Sequence, residues 1–204
     1  MSVSCPEKTG RGDTPGMGNG TVGLGNSERI RLKFGSYGIE VVDSGQGIRV
    51  SNLYSIQDGV RTNRTFAVVA YPDVIAPEFH KEHDAIVSGQ SIGNVFRNNG
   101  WVVDKRHQYF GSVELPLAHS ITEAVFGDIG ETQPVIHVYS LFIRKNDAEF
   151  HYATIAEVHH PDYLDWEDLG AIYGDELSKA AEGKGGVDDF LRIVRAKMGV
   201  SQTH

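Results

Sequence analysis

The order of secondary-structure signals along the chain limits its possible folds more than any other feature of the sequence. Segments that alternate apolar and polar residues, or that are rich in β-branched residues, predict strands. Strand-like segments come first, two helical segments follow, and strand-like segments then return. This order predicts an α+β fold with a mainly antiparallel sheet and helices inserted between strand hairpins. The predicted strands are Ile30–Phe34, Gly38–Val42, Ile48–Ile56, Thr65–Tyr71, Trp101–Leu115, Val135–Ile143 and Phe150–Val158.

The two predicted helices lie between the fourth and fifth of these strands. Pro77–Val87 begins with a proline, which suits a first helical turn, and Gly89 can end the helix. Ser91–Asn98 is shorter and is followed by Asn99 and a glycine, which end a helix well.

Composition divides the chain into three parts. Residues 1–28 are rich in glycine and poor in large apolar side chains, so we expect a disordered N-terminal tail. Its glycines are spaced like a nucleotide-binding loop, but no strand precedes them, which argues against that reading. Residues 29–163 form the α+β domain. Residues 164–204 are predicted as a C-terminal helical extension whose apolar stripe packs on the domain or on a second subunit, which leaves a homodimer open.

Charge and hydropathy exclude several classes of protein. Lys and Arg number 19 against 27 Asp and Glu, which gives a net charge of −8 and argues against nucleic acid as a partner. The single cysteine, Cys5, cannot form an intrachain disulfide. No apolar run approaches the roughly 20 residues that span a bilayer, and no secretory signal precedes the body. We therefore expect a cytoplasmic protein without a membrane partner.

Three segments, taken in order, resemble the chorismate lyase and UTRA-domain superfamily. The first is a hairpin in which an arginine starts one strand, an Asp-Gly turn follows and an Arg-Thr dipeptide opens the returning strand. The second is a helix start followed by basic residues, and the third is a closing hairpin with a glutamate shortly before a proline. In this sequence the segments are Ile48–Val69, Gly89–Phe96 with Asp104–Arg106, and Val138–Pro161. Ser91-Ile92-Gly93 stands where the family has Pro-Leu-Gly, and the C-terminal extension has no counterpart in the short enzymes of the family.

The resemblance implies a chorismate lyase-like fold and a site for a small anionic cyclic or aromatic ligand. Arg49 would hold a substrate carboxylate with Arg64 beside it, because a guanidinium can grip a carboxylate through two parallel hydrogen bonds. Glu157 would be the catalytic acid, with a pKa raised by burial among apolar neighbours. Positions that match the family's motifs also make Asn63, Ile92 and Gly93 substrate contacts. No cofactor is implied.

Two classes of function fit this resemblance. The first is a carbon–oxygen lyase that eliminates pyruvate from chorismate or a related enol ether to give a hydroxybenzoate. The second is a non-catalytic binding protein of the UTRA type, although residues 1–28 cannot supply the helix-turn-helix that such regulators carry. A third reading is an enzyme of the same fold that acts on another cyclic acid. The matching Arg49 and Glu157 favour the lyase.

Structural alternatives exist for each of these residues. Arg49 and Glu157 could pair as a salt bridge, and Arg64 could be a solvated charge at the end of a strand. His80 and His83 lie three apart on a predicted helix and could bind a metal together with either His159 or its neighbour His160. Adjacent strand residues point to opposite faces, so only one of that pair could join, and a metal site is not predicted.

Overall fold

The computed structural model describes residues 23–112, 119–174, 176–177, 180 and 187–200. Over these residues the chain forms an α+β fold, as predicted. Its strands are β1 (Gly38–Gly45), β2 (Ile48–Gln57), β3 (Val60–Ala70), β4 (Val102–Ser112), β5 (Val135–Lys145) and β6 (Ala148–His159). Its helices are α1 (Asn26–Phe34), a 3₁₀ turn (Pro77–Phe79) leading into α2 (His80–Val87), α3 (Ile92–Asn98), α4 (His119–Phe126), α5 (Trp166–Tyr173) and α6 (Asp188–Val200).

The six strands form one open antiparallel sheet in the order β1-β2-β3-β6-β5-β4. The apolar run that ends before Pro72 becomes β3, an interior strand between β2 and β6, which explains why its residues are buried on both faces. Asp58 and Gly59 form the predicted hairpin turn, both with positive φ (51° and 79°), as a two-residue turn of the primed type requires.

One face of the sheet is a mainly apolar layer. Side chains alternate between faces along each strand, and the set that includes Phe66, Val68 and Val158 packs against α4 and α6. Val194 and Met198 of α6 are almost completely buried there. The apolar stripe of the C-terminal extension therefore packs on the sheet of its own chain.

The opposite face carries the polar residues and is called the site face below. Two apolar clusters cover it, one built around Phe79 and Phe96 from the α2–α3 region and one around Ile30 and Leu169 from α1 and α5. Arg49 and Glu157 lie on this face, and a cavity separates the two clusters.

The prediction of a strand over Ile30–Phe34 is wrong, because this segment is helix α1. Its apolar residues do alternate, but Leu32 is 67% exposed while Ile30 is fully buried. The Glu28 carboxylate accepts a hydrogen bond from the Gly25 backbone N–H at 2.6 Å and closes the first turn. The helix also begins within the segment assigned to the tail, whose residues 1–22 lie outside the described part of the chain. Helix α4 was not predicted.

None of the described helices combines the length and apolar character that crossing a bilayer requires.

Replacing Asp165 with alanine should lower the free energy of unfolding by about 1 kcal/mol. The Asp165 side chain accepts a hydrogen bond from the Asp168 backbone N–H at 2.9 Å and caps α5. Urea denaturation measures the loss, and Asp165→Asn is the matched control because asparagine caps a helix equally well. Equal stability of the two variants would contradict a capping role.

Candidate functional site

A cavity of about 350 Å³ lies on the site face, within the size range of small-molecule sites. Its floor is the sheet, and α1, α3 and α5 supply its walls. Leu53, Leu141 and Ile155 line it with apolar surface. Four cationic side chains and two carboxylates also line it, namely Arg29, Arg49, Arg97, Lys105, Glu157 and Glu176. Arg97 is paired with Glu28 at 3.2 Å, so three other cations face two carboxylates. The cavity is therefore locally positive in a chain whose net charge is −8, which suits an anionic ligand.

Arg49 is a buried cation with most of its hydrogen-bonding capacity unused. Its side chain is on the second residue of β2, and the residue is 2% exposed. Nη1 makes one long bond of 3.5 Å to the Gln90 carbonyl, while Nε and Nη2 find no partner among the described residues. The Tyr71 hydroxyl lies beside the guanidinium but outside hydrogen-bonding geometry. A buried, unsatisfied guanidinium is costly, and a carboxylate ligand would satisfy it.

Glu157 faces the same cavity from β6 and is 5% exposed. Its Oε1 accepts a hydrogen bond from the Asn26 amide at 3.1 Å, and Oε2 has no partner among the described residues. No salt bridge joins Arg49 and Glu157, so the alternative in which these two described residues merely pair does not hold.

The expected rise in the pKa of Glu157 is not found. Burial raises this pKa, but the positive charges of Lys105 and Arg29 and the bond from Asn26 lower it more, and the net pKa lies below its ordinary value. Glu157 is therefore a carboxylate at neutral pH. This side chain is suited to accept a proton first, rather than to donate one as the resemblance implied.

Two further cations that sequence reasoning did not assign to the site surround Glu157. Arg29 of α1 is 2% exposed and donates a hydrogen bond to the Tyr173 hydroxyl at 3.0 Å. Burial lowers the pKa of Arg29, but the surrounding acidic groups, led by Tyr173, raise this pKa by a larger amount. The net shift is upward, so Arg29 stays charged. Lys105 of β4 sits 4.2 Å above the Tyr139 ring. Alternation along β4 could have placed Lys105 on the site face, whereas the wrong strand over Ile30–Phe34 concealed Arg29.

The structure brings together only some of the residues that the resemblance assigned. Ile92 and Gly93 line the same cavity as Arg49 and Glu157. Arg64 and Asn63 do not line it. Arg64 has no partner in the β2–β3 register, and its guanidinium bonds Ser55 at 2.8 Å.

Asn63 points away from the site face, because its amide donates a hydrogen bond to the Val125 carbonyl at 2.7 Å on the α4 side. The expectation that Arg64 stands beside Arg49 is wrong, because Arg49 lies opposite Val69, five residues farther along β3 than Arg64. The Arg64 guanidinium instead stacks 3.8 Å from Phe34 at the far end of α1.

The histidines considered for a metal site do not meet. His80 bonds the Ile75 carbonyl at 2.8 Å, and His83 bonds the Tyr152 hydroxyl at 3.1 Å. His159 lies instead on the site face, close to Glu157 and to His137 of β5.

Searches with protein-family models and against curated protein sequences found no match to this chain.

Proposed function

We propose that this chain is a chorismate lyase-like enzyme that eliminates pyruvate from chorismate or a related enol ether. The observation that carries the proposal is the convergence of Arg49 and Glu157 on one positively charged cavity. The proposal includes the chorismate lyase-like fold, which the helices placed between the strand hairpins support.

The cavity suits a cyclic molecule that carries two carboxylates. One carboxylate would bind Arg49, whose Nε and Nη2 have no other partner among the described residues. The second would lie toward Lys105 and Arg29, two of the cations that line the same cavity. Leu53 and Ile155 would contact the ring and exclude water, which strengthens both ionic contacts.

Glu157 would begin the elimination as a general base. Its carboxylate would take the proton from the ring carbon that bears the hydroxyl, while the adjacent carbon–oxygen bond of the enol ether breaks. The ring becomes aromatic, and the bonding electron pair leaves with the enolpyruvate oxygen. The enolate is then protonated on its methylene carbon to give pyruvate, and the protonated Glu157 can return that proton.

The test is to mix the purified protein with chorismate and to follow pyruvate and 4-hydroxybenzoate. We expect the two products to appear in equal amounts, at a rate proportional to the protein concentration. Calorimetric titration with chorismate and with 4-hydroxybenzoate runs in parallel. Binding without product release would identify a ligand-binding protein of the UTRA type. The absence of both binding and product release would overturn the proposal.

A further inference from the structure

Three buried polar side chains of the site face lie close together. His137, Glu157 and His159 are 0%, 5% and 1% exposed. Each offers one ligand atom, and the three atoms lie within 4.8 Å of one another. His137 Nδ1, Glu157 Oε2 and His159 Nε2 have no hydrogen-bond partner among the described residues. A buried polar atom without a partner destabilises the fold, so three such atoms close together call for a common partner.

The sheet itself brings these residues together. His137 of β5 lies directly opposite Glu157 of β6 in the antiparallel register, and His159 is two residues farther along β6 on the same face. Cross-strand and i, i+2 neighbours on one face are close enough for three short side chains to meet at one point. Two histidines and one carboxylate are a common ligand set for first-row transition metals.

The second polar atom of each residue already has a partner that fixes its orientation. His137 Nε2 lies 2.6 Å from His107 Nδ1, and His107 Nε2 lies 2.7 Å from the Glu176 carboxylate. Because a carboxylate accepts the His107 Nε2–H, His107 Nδ1 must accept the Nε2–H of His137 when His107 is neutral. The lone pair of His137 Nδ1 is then free for a ligand.

The other two residues have outer partners as well, and the Thr65 hydroxyl can accept from His159 Nδ1–H, which leaves the Nε2 lone pair for a ligand. His159 Nδ1 lies 3.0 Å from the Thr65 hydroxyl, and Glu157 Oε1 accepts from Asn26. The Asn26 amide also bonds the Thr65 hydroxyl at 3.1 Å, which ties these outer partners together. Metal ligands typically have such outer hydrogen bonds, which fix the tautomer and the ring orientation.

We infer that His137, Glu157 and His159 form a binding site for a divalent transition metal such as Zn²⁺ or Co²⁺. Three atoms this close share a point that lies within about 2.8 Å of each, and Zn²⁺ bonds of about 2.0–2.2 Å need only small side-chain rotations from there. Since Glu157 lines the cavity, the remaining coordination positions would open toward the ligand site.

Two nearby cations and a competing water molecule limit the expected strength of metal binding. Lys105 and Arg29 are near enough to Glu157 to affect its protonation, so they also repel a metal cation. We therefore expect weaker binding than at a closed zinc site built on thiolates, and tighter binding when an anionic ligand offsets these charges. The competing occupant is a buried water molecule, which would also bond three polar atoms.

The metal site goes beyond the proposed lyase activity and does not depend on it. A metal bound to Glu157 would occupy the carboxylate that the elimination needs as a base. The metal-loaded protein should therefore not turn chorismate over, while the chelator-treated protein should.

Titration of the chelator-treated protein with CoCl₂, followed by calorimetry and visible absorption, tests the site directly. We expect one Co²⁺ per chain, with absorption bands of nitrogen and oxygen ligation. Removing only an outer hydrogen-bond partner of a metal ligand typically weakens metal binding by about 10–100-fold. His137→Asn and His159→Asn each remove a ligand itself, so each should weaken metal binding by more than that. His151→Asn is the matched control, because His151 is an exposed histidine on the same strand as His159 and should leave binding unchanged.

Circular dichroism establishes that each variant is folded before titration, and Glu157→Gln, which keeps the size of the side chain, provides a third test. Absence of Co²⁺ and Zn²⁺ binding, or binding that His137→Asn, His159→Asn and Glu157→Gln all leave unchanged, would overturn the inference and leave a buried water as the occupant. Because the readout is metal binding, it is independent of whether chorismate is a substrate.

Discussion

Glu157→Gln is expected to lower the rate of pyruvate release by about 10²–10⁴-fold, the usual contribution of a positioned acid–base group. Glutamine keeps the shape of the side chain, and its carbonyl oxygen can still accept the hydrogen bond from Asn26. It cannot take a proton from the ring. Chorismate should nevertheless bind, and bind more tightly, because the variant removes a negative charge from a cavity that binds an anion.

Steady-state kinetics and calorimetric titration on the same preparation separate these two effects. Glu149→Gln is the matched control, since Glu149 lies on β6 as well but pairs at the surface with Arg106 at 2.7 Å. A Glu157→Gln variant that turns chorismate over within a few-fold of the parent protein would remove Glu157 from the chemistry. Loss of binding together with turnover would indicate that the residue only maintains the structure.

The framework of the site was predictable because it depends on local patterns. β2, β3, β5 and β6 follow from alternation and β-branched content, and a two-residue turn at Asp58-Gly59 fixes the β2–β3 register. Alternation then fixes the face of β2 that carries Arg49 and the face of β6 that carries Glu157, but only the non-local pairing of β3 with β6 puts the two on the same side of the sheet. The expectation that these two residues belong to one site came from the family resemblance, and no local pattern supplies it.

The composition of the site was less predictable, because its remaining residues come from distant elements. Ile30, Leu32 and Phe34 alternate like a strand, yet the segment folds as a helix because Ile30 and Phe34, four residues apart, share one helical face in the cluster above the sheet. That choice turns Arg29 inward, and no local pattern predicts it. Lys105, which lies on another strand, β4, is the first of several groups that lower the pKa of Glu157.

The bulge at Arg64 is a second feature that local patterns did not show. The register of β2 and β3 shifts between Leu53 and Tyr54, so Arg64 is left without a cross-strand partner. Strict alternation from Phe66 and Val68 would put Arg64 on the apolar face, whereas the bulge turns it toward Phe34 of α1. A motif resemblance indicates which residue occupies a position. It does not show the direction of the side chain, which a one-residue bulge changes.

Arg49→Met should reduce the affinity for chorismate by about 10–100-fold, which corresponds to the loss of a charge-assisted, two-point contact with a carboxylate. The same variant should unfold at an equal or higher urea concentration than the parent protein. Arg49 is 2% exposed and forms no salt bridge among the described residues, so an apolar chain of similar length removes an uncompensated buried charge. Calorimetry with chorismate and urea denaturation measure the two effects.

If Arg49→Met lowers the affinity for chorismate but raises the stability to urea, Arg49 is a residue that serves ligand binding at a cost in stability. A structural arginine behaves differently, because its removal lowers stability and affects binding only through the fold. Arg64→Met provides that comparison within the same chain. Its guanidinium bonds Ser55 and Gln57 outside the cavity, so the variant should lose stability and keep its affinity for chorismate. If Arg64→Met lost binding while Arg49→Met kept it, the carboxylate would bind at Arg64 near the far end of α1, and the cavity would not be the ligand site.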